Sequence, residues 1–328
     1  MLRKLFLGLV AVLVLLLAAF FAWRAWADVH FYDGYDAAVP LDVRIAERSR
    51  VDKMLEVFGV EVEARYRLEK VYFTARPGEE VPALITLPLD GEGPFPVIVL
   101  LHGSHQEKEF VQDIATPFNE AGFAMACFDQ HMRGERKIDG GIIATARAFR
   151  ARTWKTVHDA RRLIDYLQTR DDIAKDRIYL VGASYGAITG TALLGQEPRL
   201  RAASLVVGGG DWSILAEAPE IRKELPAWLL PWAGTILWLA VGPADPVLHG
   251  PLKGDTPVLM QNGSNDRVVI PAAGEALYAT LPDPKEIRWY PIDHPDREPK
   301  GEEVIKMLRD GLNWLKAQDD QIRVDAAS

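Results

Sequence analysis

Short apolar runs recur along the chain and alternate with longer segments whose apolar residues are spaced three or four positions apart. Such short runs are typical of buried strands, and the longer segments are typical of amphipathic helices. The alternation predicts an α/β protein with a mostly parallel central sheet and helices on both faces. The predicted strands are 97–101, 123–128, 178–181, 202–207, 257–261 and 286–291, and the clearest helices are 153–169 and 304–316.

The segments outside this alternation have different patterns. Residues 61–75 alternate apolar and charged positions, and a turn at 76–79 leads into an apolar run at 81–87, which predicts an antiparallel pair of strands. Residues 43–58 mix charges with apolar residues at a spacing that predicts one amphipathic helix. The chain from Asp319 onward is polar and follows the predicted closing helix.

Residues 1–27 have the pattern of an anchor or an export signal. Arg3 and Lys4 precede an uncharged run of nineteen residues, 5–23, which is long enough to span a bilayer as a helix. Positive charges before the run predict a cytoplasmic N-terminus and an exported domain. The length favours a retained single-pass anchor over a cleaved signal. Ala25-Trp26-Ala27 matches a cleavage site, so a secreted or periplasmic protein is the alternative.

Length and charge limit the remaining possibilities. After the N-terminal segment, 28–60 is predicted to be a linker with the amphipathic helix, and 61–328 is long enough for one large α/β domain. The net charge of −8 argues against a nucleic-acid partner, because phosphate binding needs a positive surface. Cys127 is the only cysteine, which excludes an intramolecular disulfide and a cysteine metal site. The sequence does not indicate an oligomeric state.

The clearest chemical motif is Gly182-Ala183-Ser184-Tyr185-Gly186, which lies between the strand at 178–181 and a small-residue helix at 187–194. A serine at such a sharp turn has a strained backbone and an exposed hydroxyl. A side chain at either glycine would collide with the neighbouring strand or helix. The first N–H groups of the helix point toward negative charge that forms beside Ser184. The motif therefore predicts that Ser184 is a nucleophile.

Three further motifs, taken together with the Ser184 motif, form a pattern that is typical of one protein superfamily. Leu101-His102-Gly103-Ser104, the Ser184 turn, Gly263-Ser264-Asn265-Asp266 and Asp293-His294 together resemble the α/β-hydrolase superfamily over about residues 60–316. The leading antiparallel strands and the His-Gly turn are most similar to the dienelactone hydrolase, acetyl xylan esterase and prolyl-oligopeptidase-domain branch. The resemblance implies an α/β-hydrolase fold and a catalytic triad in the chain order Ser, acid, His.

The resemblance also assigns the triad partners of Ser184. His294 follows the last predicted strand, where the superfamily has its base, and His249 is the only other histidine after Ser184. Asp266 follows a strand and a turn and is the expected acid. Asp211, after the preceding strand, is the alternative, because some relatives have the acid there. Such a triad implies nucleophilic catalysis through an acyl-enzyme.

The same resemblance implies an oxyanion hole made by the backbone N–H groups of Tyr185 and Ser104. It implies no metal and no organic cofactor. Four side chains near the predicted strand ends could instead bind a metal, although their spacing fits no strong zinc pattern. They are His102, His105, Asp129 and His131.

An insertion at about 212–250 includes an uncharged stretch at 226–242. Pro231 interrupts this stretch, and a membrane span here would split the predicted triad, so we expect an apolar cap over the site. Simple packing against the sheet is the alternative. The predicted substrate-binding residues of the cap are Trp228, Trp232 and Trp238.

The sequence as a whole predicts a membrane-anchored serine hydrolase that acts on small carboxylic esters. An acyl-peptide or small-peptide hydrolase with the same triad is one alternative. A non-catalytic binding protein on a hydrolase scaffold is the other, and the complete order of Ser184, Asp266 and His294 argues against it.

Overall fold

The computed structural model describes residues 2–57, 59–297 and 301–327. The chain forms two compact units, Met1–Tyr35 and Asp36–Ser328. The first unit contains helix α1 (Leu2–Val29). Its segment Phe6–Val29 has a mean hydropathy of 2.8 and is long and apolar enough to cross a membrane. A signal sequence also has these properties, so the helix is compatible with a signal anchor and with a signal peptide.

The second unit is built on a nine-stranded sheet with the strand order β1-β2-β3-β5-β4-β6-β7-β8-β9 in the described residues. The first three pairs, from β1 to β5, are antiparallel, and the pairs from β5 to β9 are parallel. The predicted mostly parallel sheet is confirmed. The strands are β1 (Arg44–Val57), β2 (Val60–Arg76), β3 (Glu79–Leu87), β4 (Phe95–Leu101), β5 (Ala124–Phe128), β6 (Ile173–Ala183), β7 (Leu200–Val206), β8 (Val258–Gly263) and β9 (Lys285–Tyr290).

Helices cover both faces of the sheet because every central strand is apolar on both sides. Ile98, Leu100 and Tyr179 face one side and pack with α2 and α10, whereas Leu180 and Leu205 face α4 on the other side. The helices of this unit are α2 (Phe110–Glu120), α3 (Ile142–Gln168), α4 (Tyr185–Leu194), α5 (Trp212–Leu215), α6 (Pro219–Lys223), α7 (Ala233–Val241), α8 (Pro246–His249), α9 (Pro271–Thr280) and α10 (Gly301–Ala327).

The helix predicted at 43–58 is wrong, because residues 44–57 form the edge strand β1. Its partly buried positions include Val51 and Leu55, a spacing that fits a helix turn and a strand face equally well. The pairing with β2, which places Val51 opposite Tyr66, decides between the two. Phe58 lies outside the described residues.

The closing helix is longer than predicted. Helix α10 continues through the polar segment after Asp319 as far as Ala327. The carboxylate of Asp319 is buried and accepts a hydrogen bond of 2.8 Å from the Tyr179 hydroxyl, and Arg177 lies 3.1 Å from it. Asp319, at the start of the polar segment, therefore belongs to a buried hydrogen-bonded ion pair at the sheet and does not mark the end of the helix.

Candidate active site

Ser184 lies at the sharp turn between β6 and α4, where the sheet ends. Its φ of 54° and ψ of −115° place it in a region that residues with a side chain seldom occupy. A Cβ on Gly182 would overlap the carbonyl of Gly186, and a Cβ on Gly186 would overlap the carbonyl of Leu101. Two glycines are thus required for α4 to pack this close to the strands, and this packing keeps the turn in its strained conformation.

A continuous chain of hydrogen-bond contacts runs from Ser184 through His294 to Asp266. The distance from His294 Nε2 to Ser184 Oγ is 3.1 Å, and the distance from His294 Nδ1 to Asp266 Oδ2 is 2.8 Å. Asp266 is 3% exposed, and its other oxygen accepts the N–H groups of Val268 and Val269, both at 2.8 Å. A carboxylate only accepts, so it fixes the proton on Nδ1 and leaves Nε2 free to accept from the serine.

The two alternative residues lie elsewhere. The Asp211 carboxylate caps helix α5 and accepts from the N–H of Ser213 at 2.9 Å. The His249 ring is buried, with Nε2 2.7 Å from the carbonyl of Pro243. Burial lowers the pKa of His249 and favours its neutral form. The structure therefore brings His294 and Asp266 to the serine, and holds the two alternatives in local contacts of their own.

The loop that carries His294 is tied to the loop that carries Asp266 by an ion pair that the sequence did not indicate. Asp293 accepts from the backbone N–H groups of Arg267, at 3.0 Å, and His294, at 2.8 Å. The Arg267 guanidinium also contacts the Asp293 carboxylate at 2.8 Å. Burial opposes the charge, but these hydrogen bonds lower the pKa of Asp293. The pair fixes the separation of the acid and the histidine.

The loop after β4 presents backbone N–H groups to the site. The Gly103 N–H donates to Gln106 Oε1 at 2.8 Å, so this donor is already used. Within the described part of the chain, the Ser104 N–H donates no hydrogen bond. Tyr185 is the first residue of α4, and its N–H has no acceptor within the helix. These two N–H groups are the oxyanion donors that the family resemblance predicts.

Buried polar contacts hold this loop against β5. The backbone N–H and the Nζ of Lys108 donate to Asp129 at 2.9 and 3.0 Å. Gln130 donates to the carbonyl of His102 at 2.7 Å. Burial lowers the pKa of His102 to about 4, which favours the neutral ring, and its Nδ1 lies 2.8 Å from the carbonyl oxygen of Gly103.

The alternative metal constellation is not assembled. Asp129 is engaged by Lys108 and by the N–H of Glu135, at 2.9 Å. Among the residues that the structure describes, no three His, Cys, Asp or Glu side chains are grouped closely enough to hold a metal ion.

A cavity of about 200 Å³ opens beside Ser184 and His294. Its walls are largely apolar and come from the ends of β4, β6 and β7, from α2 and from the first turns of α10. Asp296, which is exposed, is one of the polar residues that line the cavity. The apolar lining residues include Phe110, Ile114, Val206, Val268, Met307 and Leu308.

The three tryptophans predicted to cover the site do not line this cavity. Trp228 is 73% exposed, Trp232 is 61% exposed and Trp238 is 47% exposed. The insertion forms the short helices α5 to α8, and Pro231 lies in a separate single turn before α7. Besides the strand ends, the walls of the cavity come from α2 and α10, two helices that the sequence analysis did not connect with the site.

Several known proteins are similar to this chain in sequence pattern or in fold. A model of the family described as serine aminopeptidase, S33, matches residues 92–238, a little under half of the chain. The acetyl xylan esterase 1 of Thermoanaerobacterium sp. has 18% identity and a TM-score of 0.65 over 86% of this chain and 93% of its own. An acetyl xylan esterase of Paenibacillus sp. has 18% identity and a TM-score of 0.64 over the same shares.

A puromycin-hydrolyzing peptidase of Mycobacterium tuberculosis has 23% identity and a TM-score of 0.60, over 78% of this chain and 39% of its own. Among curated proteins, none matches the chain significantly. The resemblance to the α/β-hydrolase superfamily is confirmed, and the chain has the α/β-hydrolase fold. The family match supports a hydrolase, and the similar structures include both esterases and a peptidase.

Proposed function

We propose that the protein is a serine hydrolase of carboxylic esters, with Ser184 as nucleophile, His294 as base and Asp266 as the acid that orients the base. The observation that carries the proposal is the chain of contacts of 3.1 and 2.8 Å that joins these three side chains. Nucleophile, base and orienting group within hydrogen-bond reach are the arrangement that activates a serine.

The mechanism follows from the position of each group. Ser184 Oγ attacks the ester carbonyl carbon, and its proton passes to His294 Nε2. Asp266 stabilises the imidazolium that forms. The N–H groups of Tyr185 and Ser104 bind the oxyanion of the tetrahedral intermediate. His294 then gives its proton to the leaving alcohol, and a water molecule, activated by the same histidine, releases the acid from the acyl-enzyme.

The cavity supports an apolar acyl or alcohol group in the substrate. Its walls are mostly aliphatic and aromatic side chains. An apolar cavity of about 150 Å³ holds a molecule the size of benzene, so about 200 Å³ accepts a chain of several carbons. Short to medium aliphatic esters are therefore the proposed substrates, and the site requires no metal for this chemistry.

A peptidase is the second candidate, and one observation favours it. Asp296 lines the cavity next to His294 and could pair with the ammonium group of an aminoacyl substrate. The S33 family match and the similarity to the puromycin-hydrolyzing peptidase are in line with this reading. A non-catalytic protein remains the alternative from another class.

A substrate panel tests these candidates. Turnover of p-nitrophenyl acetate, butyrate and hexanoate is compared with turnover of aminoacyl p-nitroanilides, with Ser184→Ala as the control. We expect faster cleavage of the esters, and none above background in the variant. Preference for the anilides, lost in Asp296→Asn, would favour the peptidase. No turnover of either set by the wild type would contradict both.

We further propose that α1 attaches the protein to a membrane as a single-pass anchor with the hydrolase unit on the exported side. The support is the length and apolar character of Phe6–Val29 and the position of Arg3 and Lys4 before it. Cleavage after Ala27, which would release the protein, is the alternative.

A further inference from the structure

One buried arginine lies between the two residues that supply the proposed oxyanion donors. Arg152, on α3, is 6% exposed. One of its terminal nitrogens lies 3.4 Å from the carbonyl oxygen of Ser104. Its guanidinium carbon lies 3.8 Å from the centre of the Tyr185 ring, which is a cation–π contact. The same side chain therefore touches the loop after β4 and the start of α4.

The neighbour of Arg152 on α3 fixes the same ring from another side. The Tyr185 hydroxyl lies 3.0 Å from Thr153 Oγ1. Burial raises the pKa of Tyr185, so the hydroxyl stays protonated and the ring is a neutral partner for the guanidinium. Arg152 and Thr153 on α3 thus both contact the side chain of Tyr185, the residue that follows Ser184.

The charge of Arg152 has no counter-ion among the residues that the structure describes. No carboxylate there lies within ion-pair distance of it, and its Nε has no hydrogen-bond partner. Burial, with a smaller effect of the Arg133 guanidinium, lowers the pKa of Arg152. A guanidinium nevertheless stays charged at neutral pH.

The buried Arg162 and the partly buried Arg76 differ from Arg152 in this respect. Arg162 lies 2.7 Å from Asp165, and the carboxylate of Asp159 lies 2.7 Å from Arg76. A buried charge without a partner is costly for the fold. The position of Arg152 against Ser104 and Tyr185 indicates a role in the reaction.

We propose that Arg152 is a positioning residue of the oxyanion hole, which holds Ser104 and Tyr185 at a fixed separation and adds positive potential behind their N–H groups. The inference rests on the proposed serine hydrolase function. Donors that are fixed before the reaction stabilise the transition state more than the bound ester, because the negative charge develops only in the transition state. The loss of Arg152 should therefore lower kcat and leave KM nearly unchanged.

The test compares Arg152→Met, which keeps the length of the side chain and removes the charge, with Arg152→Lys, which keeps the charge and loses the planar fork. Arg150→Met is the matched control, because it makes the same change on the same helix at a guanidinium that bonds the carbonyl of Ala240. Each variant is assayed with p-nitrophenyl butyrate and with butylboronic acid, which forms a tetrahedral adduct with an activated serine.

We expect Arg152→Met to lower kcat about 10- to 100-fold with KM within about threefold, and to weaken boronate binding by a similar factor. Arg152→Lys should recover part of the loss, and Arg150→Met should behave as the wild type. A folded Arg152→Met with kcat within twofold of the wild type, or a loss of kcat with unchanged boronate affinity, would overturn the inference.

Circular dichroism shows whether Arg152→Met folds. If it does not, Arg152→Lys decides: a loss of about threefold or more in kcat and in boronate affinity supports the role, and wild-type values for both overturn it. A wild type that neither cleaves esters nor binds the boronate would show that the proposed function is wrong. If the wild type cleaves esters and binds the boronate, and Arg152→Met does so equally well, only the proposed role of Arg152 is wrong.

Discussion

Replacement of Asp266 by Asn is the substitution whose effect the geometry defines most closely. The carboxylate accepts from His294 Nδ1 at 2.8 Å, which places the imidazole proton on that nitrogen. An amide group can present its NH₂ there instead, and the proton then moves to Nε2. In that tautomer the histidine faces Ser184, 3.1 Å away, as a donor and cannot take the serine proton. We expect kcat to fall about 10⁴-fold, or about 5.4 kcal/mol of transition-state stabilisation.

The fold of this variant should be nearly unaffected. The other oxygen of Asp266 accepts from Val268 and Val269, and the amide oxygen of Asn can keep both bonds. Steady-state kinetics on p-nitrophenyl butyrate and the urea unfolding midpoint give the two quantities separately. A large loss of stability together with the loss of activity would mean that Asp266 is structural.

Asp211→Asn is the matched control. This carboxylate caps α5 through Ser213 and Ile214, so its replacement should change kcat by less than about threefold and stability by no more than about 1 kcal/mol. If kcat fell about 10⁴-fold in Asp211→Asn and not in Asp266→Asn, the assignment of Asp266 as the acid would be refuted.

Three further expectations follow from the cavity, an ion cluster and α1. In the wild type, kcat/KM should rise about fourfold per methylene from acetate upward until the cavity is full. Leu308→Trp should flatten this increase, and Trp232→Ala should leave it unchanged. A flattened increase in Trp232→Ala and an unchanged one in Leu308→Trp would favour a tryptophan-lined pocket. Burial opposes the charge of Glu79, but hydrogen bonds from Arg76 and Lys155 lower its pKa from 4.5 to about 2. Its contribution to stability should therefore be complete above about pH 4.5 and be lost as the pH falls toward 2; a Glu79→Gln variant that lost stability over this range as steeply as the wild type would contradict this. The full-length protein should stay in the membrane fraction after an alkaline carbonate wash, and a mature protein that lacks α1 would show instead that the segment is a cleaved signal.

The candidate catalytic residues could be predicted from the sequence because they lie next to glycines and buried strands, which have strong local patterns. Ser184 sits between two glycines and follows a buried strand, and the order of Asp266 and His294 along the chain selects them from a short set of candidates. The alternation of apolar runs gave the parallel sheet for the same reason.

Features that depend on contacts between distant segments were not readable. The apolar spacing in β1 fits a helix and a strand, and only the pairing with β2 distinguishes them. The ion pair of Asp293 with Arg267 joins residues 26 positions apart. Arg152 resembles any other charged residue of α3 until the fold brings Ser104 and Tyr185 to either side of it. The uncharged stretch with the tryptophans predicted an apolar surface, but the local pattern could not show that these side chains are exposed and do not line the cavity.

Labelling with a fluorophosphonate probe decides whether Ser184 is an activated nucleophile, because an unactivated serine does not react. The labelled protein is digested and the modified peptide identified by mass spectrometry. The assignment of Ser184 as nucleophile predicts one modified residue, Ser184, with no labelling of Ser184→Ala or of heat-denatured protein. An unlabelled wild type, or equal labelling of wild type and Ser184→Ala, would contradict it.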